Sequence, residues 1–151
     1  MQALRQYHHL IGAIQHLDNL LQQSGDLISE EVSAKQWYVL CQIGRFGDEA
    51  PTLNQLAEQI GSSHQNVKQM VVKLERKGYV RVYTDKEDRR KRRIALTERC
   101  EALWKTYGDR QAHFLRAGFA GIETADVERT LRTLKKLEEN FRKLSQAGAE
   151  P

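Results

Sequence analysis

The sequence predicts a mainly helical protein with one small β-hairpin, an α+β class in which helices flank a short mixed segment. Three observations predict it. Apolar residues recur every three or four positions over residues 4–21, 34–46, 53–60 and 67–74 and again beyond Thr97, the period of helices with one buried face. YVRVYT, from Tyr79, and RIALT, over residues 93–97, instead alternate apolar and polar side chains as half-buried strands do. Between those two stretches lies a densely charged loop, which makes the pair a hairpin with an exposed tip.

The first helix places Leu4, Tyr7, Ile11, Ile14, Leu17 and Leu21 on one stripe, and Ser24-Gly25 ends it. The second, over residues 34–46, uses Trp37, Val39, Leu40 and Ile43, and Gly47 stops it. GDEAP then leads to Thr52, an N-cap for a short helix whose Leu53, Leu56, Ala57 and Ile60 share one face. Gly61 breaks that helix and Ser62-Ser63 can cap another, giving a helix-turn-helix. In its second helix Val67, Met70, Val71 and Leu74 fall at i, i+3, i+4 and i+7 and should pack inward. His64, Gln65, Lys68, Gln69 and Lys73 are left outward, with the donors and acceptors that read base edges and phosphates in a major groove. A merely solvated face would show the same pattern, so the neighbouring segment decides.

That segment is the hairpin, the wing of a winged helix. From 81 to 93 it carries Arg81, Lys86, Arg89, Arg90, Lys91, Arg92 and Arg93 against Asp85, Glu87 and Asp88. A loop that projects arginines can reach phosphates or enter the minor groove. Asp88 can fix one of them by a charge-assisted hydrogen bond and so hold the tip in one geometry. Residues 63–93 hold eleven Lys or Arg and four Asp or Glu, while the chain as a whole is only +4. The remaining residues are therefore net acidic, and the local excess favours an anionic partner, double-stranded DNA above all.

Thr97 caps a further helix reaching about residue 117, with a break over residues 118–121. The last helix spaces Val127, Leu131, Leu134, Leu137, Phe141 and Leu144 by three and four, a seam that one winged helix cannot cover together with the first stripe. A homodimer with intertwined end helices follows, setting two recognition helices about 34 Å apart, one turn of DNA.

LNQLAEQIG, SSHQNVKQMVVKLERKGYV and DRRKRRIALTERC resemble the multiple antibiotic resistance regulator (MarR) family over residues 34–104. The resemblance implies a homodimeric transcription factor on pseudo-palindromic operators, usually a repressor released by a small ligand or by oxidation. It implies a recognition helix bearing Ser63, His64, Gln65, Asn66, Lys68, Gln69 and Lys73, wing residues Arg89, Arg90 and Lys91, and Asp88 as the acid that orients them. Lys68 and Gln69 stand where many members carry Thr and Arg, so the operator sequence cannot be transferred from a relative. The expected layout is an N-terminal dimerisation helix over 1–33, a winged helix-turn-helix over 34–100 and C-terminal dimerisation helices over 101–151.

A planar aromatic effector would suit a pocket between the dimer helices and the winged-helix body, lined by Tyr7, His8, Trp37, Tyr38 and Cys41, although Trp37 and Tyr38 equally suit plain core. Cys100 follows Arg99 in the first turn of a helix, where the dipole and the cation would lower its pKa, so a redox switch there is an alternative. His8, His9, His16 and His113 form no closely spaced ligand set, and neither cysteine lies in a Cys/His cluster, so no metal or other cofactor is expected. No glycine-rich phosphate loop or G-x-S-x-G elbow is present, which argues against an enzyme. An architectural DNA binder without an effector stays open. No apolar run nears the ~18 residues of a membrane span, and MQALRQYHHLIG lacks a secretion-signal layout, so a cytoplasmic protein with no membrane partner is expected.

Overall fold

The computed structural model describes residues 1–148. Among the described residues, six helices and one hairpin follow in the order α1 (Gln2–Gly25), α2 (Ala34–Gly44), α3 (Leu53–Ile60), α4 (His64–Arg76), β1 (Val80–Thr84), β2 (Arg92–Leu96), α5 (Glu98–Gly118) and α6 (Thr124–Ala147). The chain divides into two compact units, Met1–Phe114 and Leu115–Pro151, with the boundary inside α5. The last three residues of the expected 101–151 region lie outside the described residues.

The mainly helical class with a two-stranded antiparallel hairpin is as the sequence predicts. The starts of α2, α3 and α4 are set by side-chain caps. Ser33 and Thr52 each accept from the backbone N–H three residues on, and Gln36 and Gln55 accept from the cap residue's own N–H, closing two capping boxes. Helix α2 ends two residues earlier than its apolar pattern suggests. The N–H groups of Phe46 and Gly47 reach back only three residues, to Ile43 and Gly44, so the last turn tightens out of the α-helix before Gly47 turns the chain at φ +61°. Strand β2 starts one residue early and ends at Leu96: the Thr97 N–H still reaches the Tyr79 carbonyl, but the Tyr79 N–H is taken by the Leu74 carbonyl, and the Thr97 hydroxyl donates to the Gly78 carbonyl at 2.6 Å.

The core of the first unit gathers Trp37, Leu40 and Ile43 of α2, Leu56 of α3, Val67, Val71 and Leu74 of α4, Tyr79, Val80 and Ile94 of the hairpin, and Cys100 and Leu103 of α5. Each fully buried leucine there contributes about 1.5–3 kcal/mol of transfer free energy. Gly25 serves close packing: a Cβ placed on it would meet the Ala34 side chain at 2.8 Å, so α1 approaches α2 only with glycine at the crossing. The connection between those helices is tied to the end of α4, where Lys77 Nζ donates to the Glu31 carbonyl at 2.7 Å and the Tyr79 hydroxyl donates to the Glu31 carboxylate.

Helix α1 leaves every residue from 1 to 21 exposed, its apolar stripe included. In the second unit, α6 carries ion pairs at helical spacing, Arg129 with Asp126 and Arg142 with Glu138, while Leu131, Leu134, Phe141 and Leu144 stand exposed. Among the described residues no helix is long and apolar enough to cross a membrane.

Candidate nucleic-acid interface

Helices α3 and α4 are joined by a turn that only glycine makes without strain. Gly61 sits at φ +69°, and a Cβ there would meet nothing, so the constraint is backbone conformation and not space. The N–H groups of Gly61 and Ser62 return to the Ala57 carbonyl, satisfying the end of α3. Ser63 then caps α4, its hydroxyl oxygen accepting from the Asn66 N–H at 3.3 Å.

Once capped, α4 can face only one way. Val67, Val71 and Leu74 are buried and Met70 packs against the same core, as the i, i+3, i+4, i+7 spacing requires. Ser63, His64, Gln65, Asn66, Lys68, Gln69 and Lys73 are all exposed. Gln65, Lys68, Gln69 and Lys73 line a shallow concave surface along the helix together with Val72 and Arg76. Sequence reasoning omitted those two, although Gln65, Lys68, Val72 and Arg76 continue the same three- and four-residue spacing. Val72 gives this face an apolar group of the kind that meets a thymine methyl.

The wing is an antiparallel pair in register from Val80 opposite Leu96 to Thr84 opposite Arg92. Its tip is a small network of acids. The Asp85 N–H donates to the Lys91 carbonyl, and Asp85 Oδ1 accepts from the N–H groups of Glu87 and Asp88, both at 2.8 Å. Those backbone bonds, together with the Arg93 side chain, hold the Asp85 carboxyl down at about 2, the bond from Asp88 being the largest cause. Asp88 repeats the device one step further out: its Oδ1 accepts the Arg90 N–H at 3.1 Å and Arg90 Nε at 3.2 Å, and Lys91 Nζ stands 3.8 Å from Oδ2. The Arg90 side chain is the chief reason the Asp88 carboxyl lies below its usual range. Arg90 remains 92% exposed while being oriented this way, and Arg89, Lys91 and Arg92 are exposed beside it. Asp88 thus pairs with Arg90 through a charge-assisted hydrogen bond.

The hairpin is fixed to the body on both of its sides. Glu75 of α4 accepts the Val82 N–H at 2.9 Å, tying β1 to the outward-facing helix. On the other side, the Ile94 N–H donates to the Pro51 carbonyl and Arg93 forms a single antiparallel bridge with Thr52, so the chain entering α3 lies against β2. Arg93 is the exception among the wing cations: its guanidinium turns back onto Asp85 and the Ala50 carbonyl. Neither Glu75 nor Arg93 could be singled out from sequence, because their partners are distant in the chain or fixed by tertiary packing.

The expectation for Cys100 is corrected. It is fully buried, and burial pushes its thiol up to about 12, with Cys41 and Glu101 adding to the rise. Arg99, the cation expected to stabilise a thiolate, instead lies over the Tyr79 ring at 5.1 Å. Desolvation therefore outweighs the helix dipole, and the redox alternative loses its chemistry. Of the five residues expected around an effector, Tyr7, His8 and Tyr38 are exposed and Trp37 is buried in the core. Cys41 lines an open hollow of about 440 Å³ with Gly44, Arg45, Trp104 and Gln111. Burial raises the Cys41 thiol, partly offset by Trp37 and Gln111. Among the described residues, Trp104 Nε1 is buried without a hydrogen-bond partner, and no group of three His, Cys, Asp or Glu is placed to hold a metal.

A capped helix-turn-helix followed by a two-stranded wing defines a winged-helix protein. Its relatives narrow the class. The MarR family profile matches residues 31–91. The transcriptional activatory protein BadR of Rhodopseudomonas palustris is 27% identical over 140 residues, which cover 87% of this chain and 77% of BadR. A MarR/EmrR family transcriptional regulator from Acinetobacter sp. ADP1 superposes with a TM-score of 0.78 at 22% identity, over 90% of this chain and 96% of that one. MepR of S. aureus, solved as a complex with DNA, superposes with a TM-score of 0.72 at 20% identity, over 89% of this chain and 97% of that one. The chain is thus similar to MarR-type transcriptional regulators, and the profile match falls on its helix-turn-helix and wing.

Proposed function

We propose that the protein is a homodimer that binds an inverted-repeat operator in duplex DNA, with α4 in the major groove and the wing at the flanking minor groove. One observation carries this reading: an outward α4 face of Gln65, Lys68, Gln69 and Lys73 is bonded through Glu75 to a hairpin whose tip presents Arg90 92% exposed on an Asp88 support. Lys and Arg that neutralise phosphates and release their counterions supply affinity, and the amide side chains supply base discrimination. The MepR complex with DNA supports the same use of the fold. The uncovered apolar face of α1 and the exposed leucines of α6 seat a second copy, which doubles the interface and imposes twofold symmetry on the site.

The direction proposed is repression, because a dimer covering an operator excludes other proteins from it. Release falls to a small aromatic effector in the hollow beside Cys41, where Trp104 offers an aromatic wall and Arg45 a cation for an acidic substituent. Selection of bound duplexes from a random pool tests the reading. Enrichment of an inverted repeat with half-sites about 10 base pairs apart is the expected result. Even recovery of all sequences would replace it with an architectural binder.

A further inference from the structure

We infer that Arg93 and Asp85 form a positioning pair that holds the wing at its working angle, and that Arg93 contacts no phosphate; this rests on the DNA-binding reading above. Of the seven cations between 81 and 93, the other six are exposed, whereas Arg93 and Asp85 are each only 15% exposed at the side chain. The Arg93 guanidinium is spent inward: Nε donates to Asp85 Oδ2 at 2.6 Å, and NH1 donates to the Ala50 carbonyl at 2.8 Å and lies 3.5 Å from Glu49 Oε1. A phosphate would have to displace two carboxylates and a carbonyl to reach it.

The consequence runs outward along the turn. Arg93 is anchored to the chain before α3; it holds one oxygen of Asp85, whose other oxygen orders the N–H groups of Glu87 and Asp88. Asp88 in turn orients Arg90. Order therefore passes from the body of the domain to the exposed guanidinium in four links, and a loop ordered before binding loses less entropy on binding. The planar fork is needed for this, because one group must satisfy Asp85 and Ala50 in different directions; a lysine would keep the charge and lose the geometry.

The test uses the full-length protein and a fluorescein-labelled duplex of mixed sequence, with affinity measured by anisotropy across a salt series. Arg93→Lys and Arg93→Gln should each weaken binding about tenfold through loss of wing preorganisation. Both should keep the wild-type slope of log K against log salt, while Arg89→Gln lowers that slope by about 0.9 for every phosphate the arginine no longer neutralises. Circular dichroism and stoichiometric titration confirm that the variants are folded and fully active, and faster tryptic cleavage within residues 85–92 of the free variants reports a loosened wing. A slope lowered by Arg93→Gln would show that Arg93 touches phosphate and overturn the inference. So would Arg93→Lys binding like wild type. Wild-type protein that shows no salt-dependent binding would instead overturn the DNA-binding reading, and the inference with it.

Discussion

Replacing Ile14 by Glu places a carboxylate in the middle of the uncovered face of α1. Ile14 is 37% exposed, and its neighbours on the same arc, Leu10, Ile11, Leu17 and Leu21, are exposed to between 37% and 55%. Covering what remains of such a side chain in a dimer stabilises the interface by about 1 kcal/mol. A carboxylate forced into the same place costs at least about 2 kcal/mol more in lost hydration. Twofold symmetry counts both terms twice, so Ile14→Glu should weaken the dimer by about 6 kcal/mol, on the order of ten-thousandfold in its dissociation constant. Sedimentation velocity at micromolar concentrations reads this directly: a dimer for the parent protein and a monomer for the variant, with unchanged helix content by circular dichroism. A variant that sediments as the parent does, or a parent that stays monomeric, would refute the reasoning that α1 seats a second copy.

Three further outcomes are expected. In the native protein a thiol reagent at pH 8 should modify Cys41 before Cys100, since Cys100 is fully buried with its thiol pushed up to about 12, and both should react once the chain is denatured; mass spectrometry of digested adducts separates them. Because the Asp85 carboxyl is held down at about 2, against 3.8 for a free aspartate, its contribution to the wing is present above about pH 4 and is lost as the pH falls toward 2. The Arg93 Nε resonance, followed by NMR, should therefore stay constant from pH 8 to about 5 and shift only in that acid window. Ser63→Ala should lower stability by about 1 kcal/mol in urea unfolding by removing the cap of α4.

What was legible in the sequence followed from local rules. Thr52, Gly61 and Ser63 each announce a helix boundary through a cap or a backbone angle, and the helix-turn-helix stands where they place it. The inward set Val67, Met70, Val71 and Leu74 is fixed by helical period alone. Asp88 could be read as an arginine's partner because Arg90 is two residues away. Longer-range effects were not legible. Arg93 looked like one more wing cation because Ala50 and Glu49 are more than forty residues distant in the chain. Cys100 looked activated because its cation and helix start are local, whereas the burial that decides its chemistry is made by tertiary packing. Gly25 looked like a plain helix stop, and only the approach of Ala34 shows what it is for.

The salt dependence of duplex binding after joint replacement of Arg89 and Arg90 by Gln tests the central claim most directly. Each phosphate neutralised contributes about 0.9 to the slope, so the four guanidiniums of a dimer should account for about 3.6 of it, together with a large loss of affinity at low salt. Unchanged affinity and an unchanged slope at low ionic strength would contradict a wing that grips DNA.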